Sequence, residues 1–148
     1  MPLEPGDPAP EISAPTQDGT VAPDWTGVSV VYFYPRDDTR GCTVEAQEFQ
    51  ADLDAFREAD VAVYGVSTDD AESHADFAEK YDRTFPLLAD PDADIAEAFG
   101  VGVDRGAAAR TTFVVVDGRV QAVYEGVDPD GHAENVLADL HQTGIVEE

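Results

Sequence analysis

The stretch VSVVYFYPRDDTRGCTVEAQEFQADLDAFREADVAVYGVS, residues 28–67, opens and closes on runs of β-branched and aromatic residues, VSVVYFY (28–34) and VAVYGVS (61–67). Short continuous apolar runs of this kind suit strands covered on both faces, the usual setting of a parallel sheet. Between them Ala46, Phe49, Leu53 and Phe56 recur at intervals of three and four, which is the apolar stripe of an amphipathic helix. Strand, helix and strand in that order make a parallel crossover unit.

Downstream, Phe77, Ala78 and Tyr81 suggest a second helix, FPLLAD (85–90) a short strand and DADIAEAF (92–99) a short helix. The pattern then changes. TTFVVV (111–116) and RVQAVYE (119–125) are separated only by Asp117-Gly118, a connection that favours a tight antiparallel hairpin. Ala133, Val136, Leu137 and Leu140 outline a closing helix, with Gly144 placed to stop it. Upstream, six of the ten prolines fall in the first 23 residues. Residues 1–27 are therefore expected to form an extended arm, with a small hairpin about Asp18-Gly19. The whole describes an α/β chain, one domain over 1–148, with a mixed central sheet covered by helices on both faces.

A chain of 148 residues can bury roughly 70% of the surface exposed when unfolded. With 43% hydrophobic residues it should fold despite a net charge of −24. Acidic residues number 32 and basic ones 8, Lys80 being the sole lysine. That balance argues against a nucleic-acid partner, which needs clustered lysine and arginine. The acids are spread along the chain as a solvated surface, and the composition resembles that of proteins from salt-accumulating halophiles. The N-terminal residues carry no signal-peptide pattern, and the longest apolar run is far short of the ~20 residues of a membrane helix. The expected location is cytoplasmic, away from membranes.

Cys42 is the only cysteine, so an internal disulfide, a dithiol pair and a cysteine-based zinc site are excluded. If Thr39 caps the helix, Cys42 falls in its first turn, where free N–H groups and the positive end of the dipole favour an anion. A free thiol titrates near pH ~8.5, and half ionisation at neutrality requires about 2 kcal/mol of help. A helix end supplies only ~0.3–1 kcal/mol, so a cation must add the rest. Arg36, Arg40, Arg105 and Arg110 are the candidates. Arg110 is favoured because it opens the strand TTFVVV, and a strand end in a mixed sheet often faces its neighbour's outgoing loop.

The octet PRDDTRGC, Pro35 to Cys42, fits the pattern of proline, three residues, threonine or serine, two residues, cysteine that marks the peroxiredoxins. Together with FPLLADPDADIAEAFGV and ARTTFVVVDGRV, in order along nearly the whole chain, it resembles the bacterioferritin comigratory protein or peroxiredoxin Q branch of that family. The resemblance implies a thioredoxin-like fold with an N-terminal extension. It implies that Cys42 attacks hydrogen peroxide or an organic hydroperoxide as a thiolate, becoming a sulfenic acid. Thr39 would position the substrate, Arg110 stabilise the thiolate and the developing charge, and Pro35 shield the pocket. No metal, haem or flavin is implied.

Two positions depart from the family pattern. Gln47 stands where many members carry a resolving cysteine, and Arg40 stands where a proline is familiar. Resolution must then come from an external thiol, either a low-molecular-weight thiol or a thioredoxin-like protein, or from a second Cys42. A monomer or weak dimer is expected. The alternative is a redox sensor or thiol-exchange protein in which Cys42 oxidation is a signal.

Other polar residues read as structural. His74, three residues before Phe77, is expected at the boundary of the core, and His132 and His141 near the ends of the last helix make no metal trio. DPDAD (90–94) begins like a calcium loop, but Ile95 and Val101 occupy the positions that need glycine and glutamate, so a turn and helix start are expected.

Overall fold

The β-branched runs become the centre of the sheet. In the computed structural model, which describes residues 3–16, 19–22, 25, 27–34, 48–51, 53–58, 61–68, 70–81, 87–90, 92–104, 107–108, 110–125, 135–136 and 138–140, β1 (Ala14–Thr16) and β2 (Gly19–Val21) form the arm's hairpin. After β3 (Val28–Phe33), residues 48–51 are helical and lead to α1 (Leu53–Glu58). There follow β4 (Val61–Ser67), α2 (Ala71–Tyr81), β5 (Leu87–Ala89), α3 (Asp94–Phe99), a ribbon of β6 (Val103–Asp104) and β7 (Ala107–Ala108), and then β8 (Thr111–Val116) and β9 (Arg119–Glu125). Residues 135–136 and 138–140 are helical. Among the described residues the main sheet runs β5-β4-β3-β8-β9. β3, β4 and β5 pair in parallel, whereas β8 runs antiparallel to both β3 and β9. This is the mixed sheet expected from the sequence.

β3 lies mid-sheet and is buried on both faces, hence its unbroken apolar run. Alternation sends Val30, Tyr32 and Tyr34 to one side, into a core with Phe49, Leu53, Phe56, Phe77, Val136 and Leu140. Val31 and Phe33 go to the other side, with Trp25, Ile95, Ala96 and Phe99. The second core is rich in edge-to-face rings, Phe33 meeting Phe99 at 5.4 Å and Phe113 at 5.8 Å between centroids.

Asp117 and Gly118 have φ of 48° and 85°, the positive pair that a primed two-residue turn demands. Asp117 also ties the turn to the start of β3: its N–H donates to Gly27 O at 2.9 Å, and its Oδ1 accepts from Gly27 N at 3.1 Å. The expected arm is fastened by the residues between its prolines, which keep their donors. Leu3 N donates to Phe99 O, Gly6 N to Val120 O and Ala9 N to Gly118 O, all within 2.9 Å. Trp25 Nε1 donates to Pro10 O at 2.8 Å.

The turn at DPDAD precedes a helix as expected, and Asp90 is what holds it. Its Oδ1 accepts from Ile95 N and its Oδ2 from Ala96 N, both at 2.9 Å. It is only 4% exposed. Burial raises its carboxyl above the ordinary value of 3.8, although the amide donors of Ile95 and Ala96 pull the other way.

Candidate active site

Parallel strands β3, β4 and β5 end at one edge of the sheet, and antiparallel β8 begins at that same edge. The register pairs Phe33 with Thr111. One step further along, Tyr34 leaves β3 beside Arg110, the half-buried residue immediately before Thr111. The cation chosen from the sequence therefore stands where the chain departs toward Cys42. Pro35, Thr39 and Cys42, together with Arg36, Arg40, Arg105 and Gln47, lie outside the described residues, as do His132 and His141.

Both flanks of the segment 35–47 are anchored in the core. On the departing side, Tyr34 N donates to Val66 O at 3.0 Å, and the Tyr34 ring packs against Tyr32 at 5.5 Å and Phe77 at 6.4 Å. On the returning side, Phe49 stacks on Tyr32 at 4.6 Å with planes 9° apart and then meets Phe56 at 5.8 Å. Tyr32 thus touches both flanks. Gly65 allows its ring to lie there, since a Cβ at that position would come within 2.9 Å of Tyr32 Oη.

His74 is not at the core boundary. It is fully buried at 0% exposure, because α2 sets it one turn from Phe77 on the same inward face. Its Nε2 lies 2.9 Å from Leu88 O and its Nδ1 lies 3.4 Å from Tyr34 Oη. A carbonyl only accepts, so Nε2 carries the proton. In that tautomer Nδ1 accepts from the tyrosine hydroxyl. The three- and four-residue spacing that identified Phe77 as core could have placed His74 beside it.

Among the described residues no group of three His, Cys, Asp or Glu side chains is gathered to hold a metal ion, and no helix is long and apolar enough to cross a membrane. The described edge carries Arg110 at the head of β8 and, below it in the core, the packed rings of Tyr32, Tyr34, Phe49 and Phe77. Such a cation within ~4–6 Å favours the ionised form of a thiol by about 1–3 pH units.

The family model described as AhpC/TSA matches residues 5–123. Peroxiredoxin Bcp of Escherichia coli K12 is 37% identical over 147 residues, 92% of this chain and 94% of the relative. The crystal structure of peroxidoxin BcpB from Mycobacterium tuberculosis superposes with a TM-score of 0.86 at 34% identity, covering 95% of this chain and 97% of that one. The bacterioferritin comigratory protein of Xanthomonas campestris, solved in connection with its alkyl peroxide reduction activity, gives 0.84 at 31% identity, with 90% and 92% covered. The chain therefore has the thioredoxin-like fold of these neighbours and belongs to the AhpC/TSA family as a thiol-dependent peroxidase of the peroxiredoxin type, related to the bacterioferritin comigratory protein and peroxiredoxin Q branch.

Proposed function

We propose that Cys42 is the peroxidatic nucleophile for hydrogen peroxide and organic hydroperoxides, in a single domain spanning 1–148. The observation that carries this assignment is the register of β3 with β8, which sets Arg110 beside the exit of the Cys42 segment. The thiolate attacks the terminal peroxide oxygen, so that an S–O bond forms as the O–O bond breaks. Sulfur is oxidised to sulfenic acid, and the peroxide is reduced to water or an alcohol once the leaving oxygen takes a proton. Arg110 offers donors to the thiolate and to the oxygen on which charge develops. Thr39 hydroxyl positions the peroxide, and Pro35 keeps bulk water from the thiol.

Gln47 leaves the chain without a resolving thiol at that position. An external thiol, either small or on a thioredoxin-like protein, attacks the sulfenic sulfur, expels water and forms a mixed disulfide. A second thiol then releases Cys42. Reducing cytoplasm supplies such thiols, and the acid-rich composition fits a salt-rich interior. The chain acts as a monomer or weak dimer.

Peroxide consumption with excess dithiol, wild type against Cys42→Ser, tests the assignment. Many turnovers, lost in the variant, are expected; consumption surviving in the variant would remove Cys42 from the chemistry. One equivalent consumed per chain would identify the sensor reading, which the absence of a cysteine at Gln47 favours. Arg110→Ala should move the thiol titration, followed by thiolate absorbance, to higher pH. An unchanged curve would take Arg110 out of the mechanism.

A further inference from the structure

We propose that this peroxidase selects uncharged peroxides and excludes anionic ones in dilute salt, through the carboxylates around the edge of the sheet from which the thiol segment departs; the inference rests on the assignment of Cys42 above. Strands β3, β4 and β5 run in parallel and end at that edge. The loop after β4 presents Asp70, exposed and immediately before α2, and the turn after β5 presents Asp92 and Asp94, both exposed. The fold fixes their places. Asp70 Oδ1 accepts from Ser73 N at 2.8 Å. Asp90 holds the turn of Asp92 and Asp94, its N–H donating to Ser67 O at 2.9 Å and its carboxyl oxygens accepting from Ile95 N and Ala96 N. No basic residue stands among the described residues of either loop.

The arginines of the motif do not reverse the sign. The segment that bears the thiol holds Arg36 and Arg40 against Asp37, Asp38, Glu45 and Glu48, a net −2. Counting Arg105 and Arg110 as well brings it only to neutrality, before the charge of the thiolate itself. Asp70, Asp92 and Asp94 then leave the approach negative, within a molecule whose net charge is −24. Distance does not remove the effect. Glu48 is anchored next to Phe49, whose ring stacks on Tyr32 at 4.6 Å. Cys42 is six residues before Glu48, so the two stand within about 20 Å of each other however the intervening chain runs. The Debye length is about 30 Å at ~0.01 M salt, which puts the thiol inside the field of this edge.

A surface potential of a few kT lowers the local concentration of a like-charged solute by about tenfold and leaves an uncharged one alone. That factor multiplies the encounter whether or not diffusion limits the rate. Hydrogen peroxide and simple alkyl hydroperoxides are uncharged at neutral pH, whereas a hydroperoxide that also carries a carboxyl group is an anion there. Both classes offer the same O–O bond, so charge alone separates them.

The test compares an aliphatic hydroperoxy acid with its own methyl ester, a pair that differs in charge away from the O–O bond. Rate constants for oxidation of Cys42 in the full-length chain are measured for both between ~0.01 M and ~1 M potassium chloride. Because acid and ester meet the same folded fraction at each salt concentration, partial unfolding cancels in their ratio. The ester should react about tenfold faster than the acid at ~0.01 M. That ratio should fall severalfold by ~1 M, where the Debye length is about 3 Å. Combining Asp70→Asn, Asp92→Asn and Asp94→Asn removes three charges from the edge, and asparagine still caps α2. This variant should speed the acid about twofold in dilute salt and leave the ester unchanged. An acid as fast as its ester in dilute salt, or a ratio that salt does not move, would overturn the proposal. So would an acid rate untouched by the triple variant, since the edge carboxylates would then exert no field at the thiol. A wild-type chain that consumes neither compound faster than Cys42→Ser fails the assignment of Cys42 instead, and shows it before any ratio is formed.

Discussion

At Gly65 an added Cβ would stand 2.9 Å from Leu87 Cδ2 and from Tyr32 Oη, and 3.0 Å from Tyr32 Cζ. The leucine methyl can turn away, but the tyrosine ring has less freedom. It is stacked on Phe49 at 4.6 Å and packed against Tyr34 at 5.5 Å, so moving it disturbs both flanks of the segment that bears Cys42. Overpacking of this kind typically costs about 1–3 kcal/mol, and each kcal/mol lowers the midpoint of a chain this long by about 2–4 °C. Gly65→Ala should therefore melt several degrees below wild type and react more slowly with peroxide, although position 65 touches no substrate. A calorimetric midpoint equal to wild type would show that the ring has room to shift, and with it the claim that Tyr32 braces the two flanks would fall.

The strands and helices with strong periodicity were legible in the sequence: the crossover from β3 through the helix to β4, the hairpin at Asp117-Gly118, and the stripe of Phe49, Leu53 and Phe56 all occur where their spacing put them. What escaped has no local signature. The ribbon of β6 and β7 has two residues a strand, and the register shift at Val114/Val115 is a property of two strands together. Arg110 could be placed at the head of a strand, but its position beside Tyr34 depends on pairing between strands far apart in sequence. Asp90 illustrates the same limit within one element. In DPDAD it is one of three alternating acids, yet it is 4% exposed and caps α3 while Asp92 and Asp94 face solvent. Because burial raises its carboxyl above 3.8, the folded state binds this proton more readily than the unfolded one. The stability it contributes is therefore greatest at low pH and falls as pH rises through the raised value. Replacing it by asparagine removes that titration, at the cost of setting one amide donor against another. The stability difference between wild type and Asp90→Asn, from urea unfolding, should be larger near pH ~4 than near pH ~7. A difference that grows with pH would mean that the Ile95 and Ala96 amides outweigh burial, and that the carboxyl is depressed.

Across the whole molecule the dominant long-range term is charge. A net −24 on 148 residues is carried, among the described residues, largely outside the two cores, because their buried set is apolar apart from a few groups such as His74, Asp90 and Thr112. Surface carboxylates of one sign repel, and folding brings them closer together than they are in the open chain. Screening sets the size of the penalty: the Debye length is about 30 Å at ~0.01 M salt, comparable with a small domain, and about 3 Å at ~1 M. Closing contacts such as the bond from Tyr124 Oη to Asp139 Oδ2 at 2.7 Å, which ties the last helix to β9, act over too short a range to compensate. The thermal midpoint should consequently climb steeply from dilute buffer to ~1 M potassium chloride. Sulfate at equal ionic strength should add a further rise, because it also strengthens apolar burial at any protein surface. The chloride series therefore isolates the charge term. Full ellipticity and an unchanged midpoint in dilute buffer would show that the cores outweigh the repulsion unaided, and that the acidic surface is no adaptation to salt.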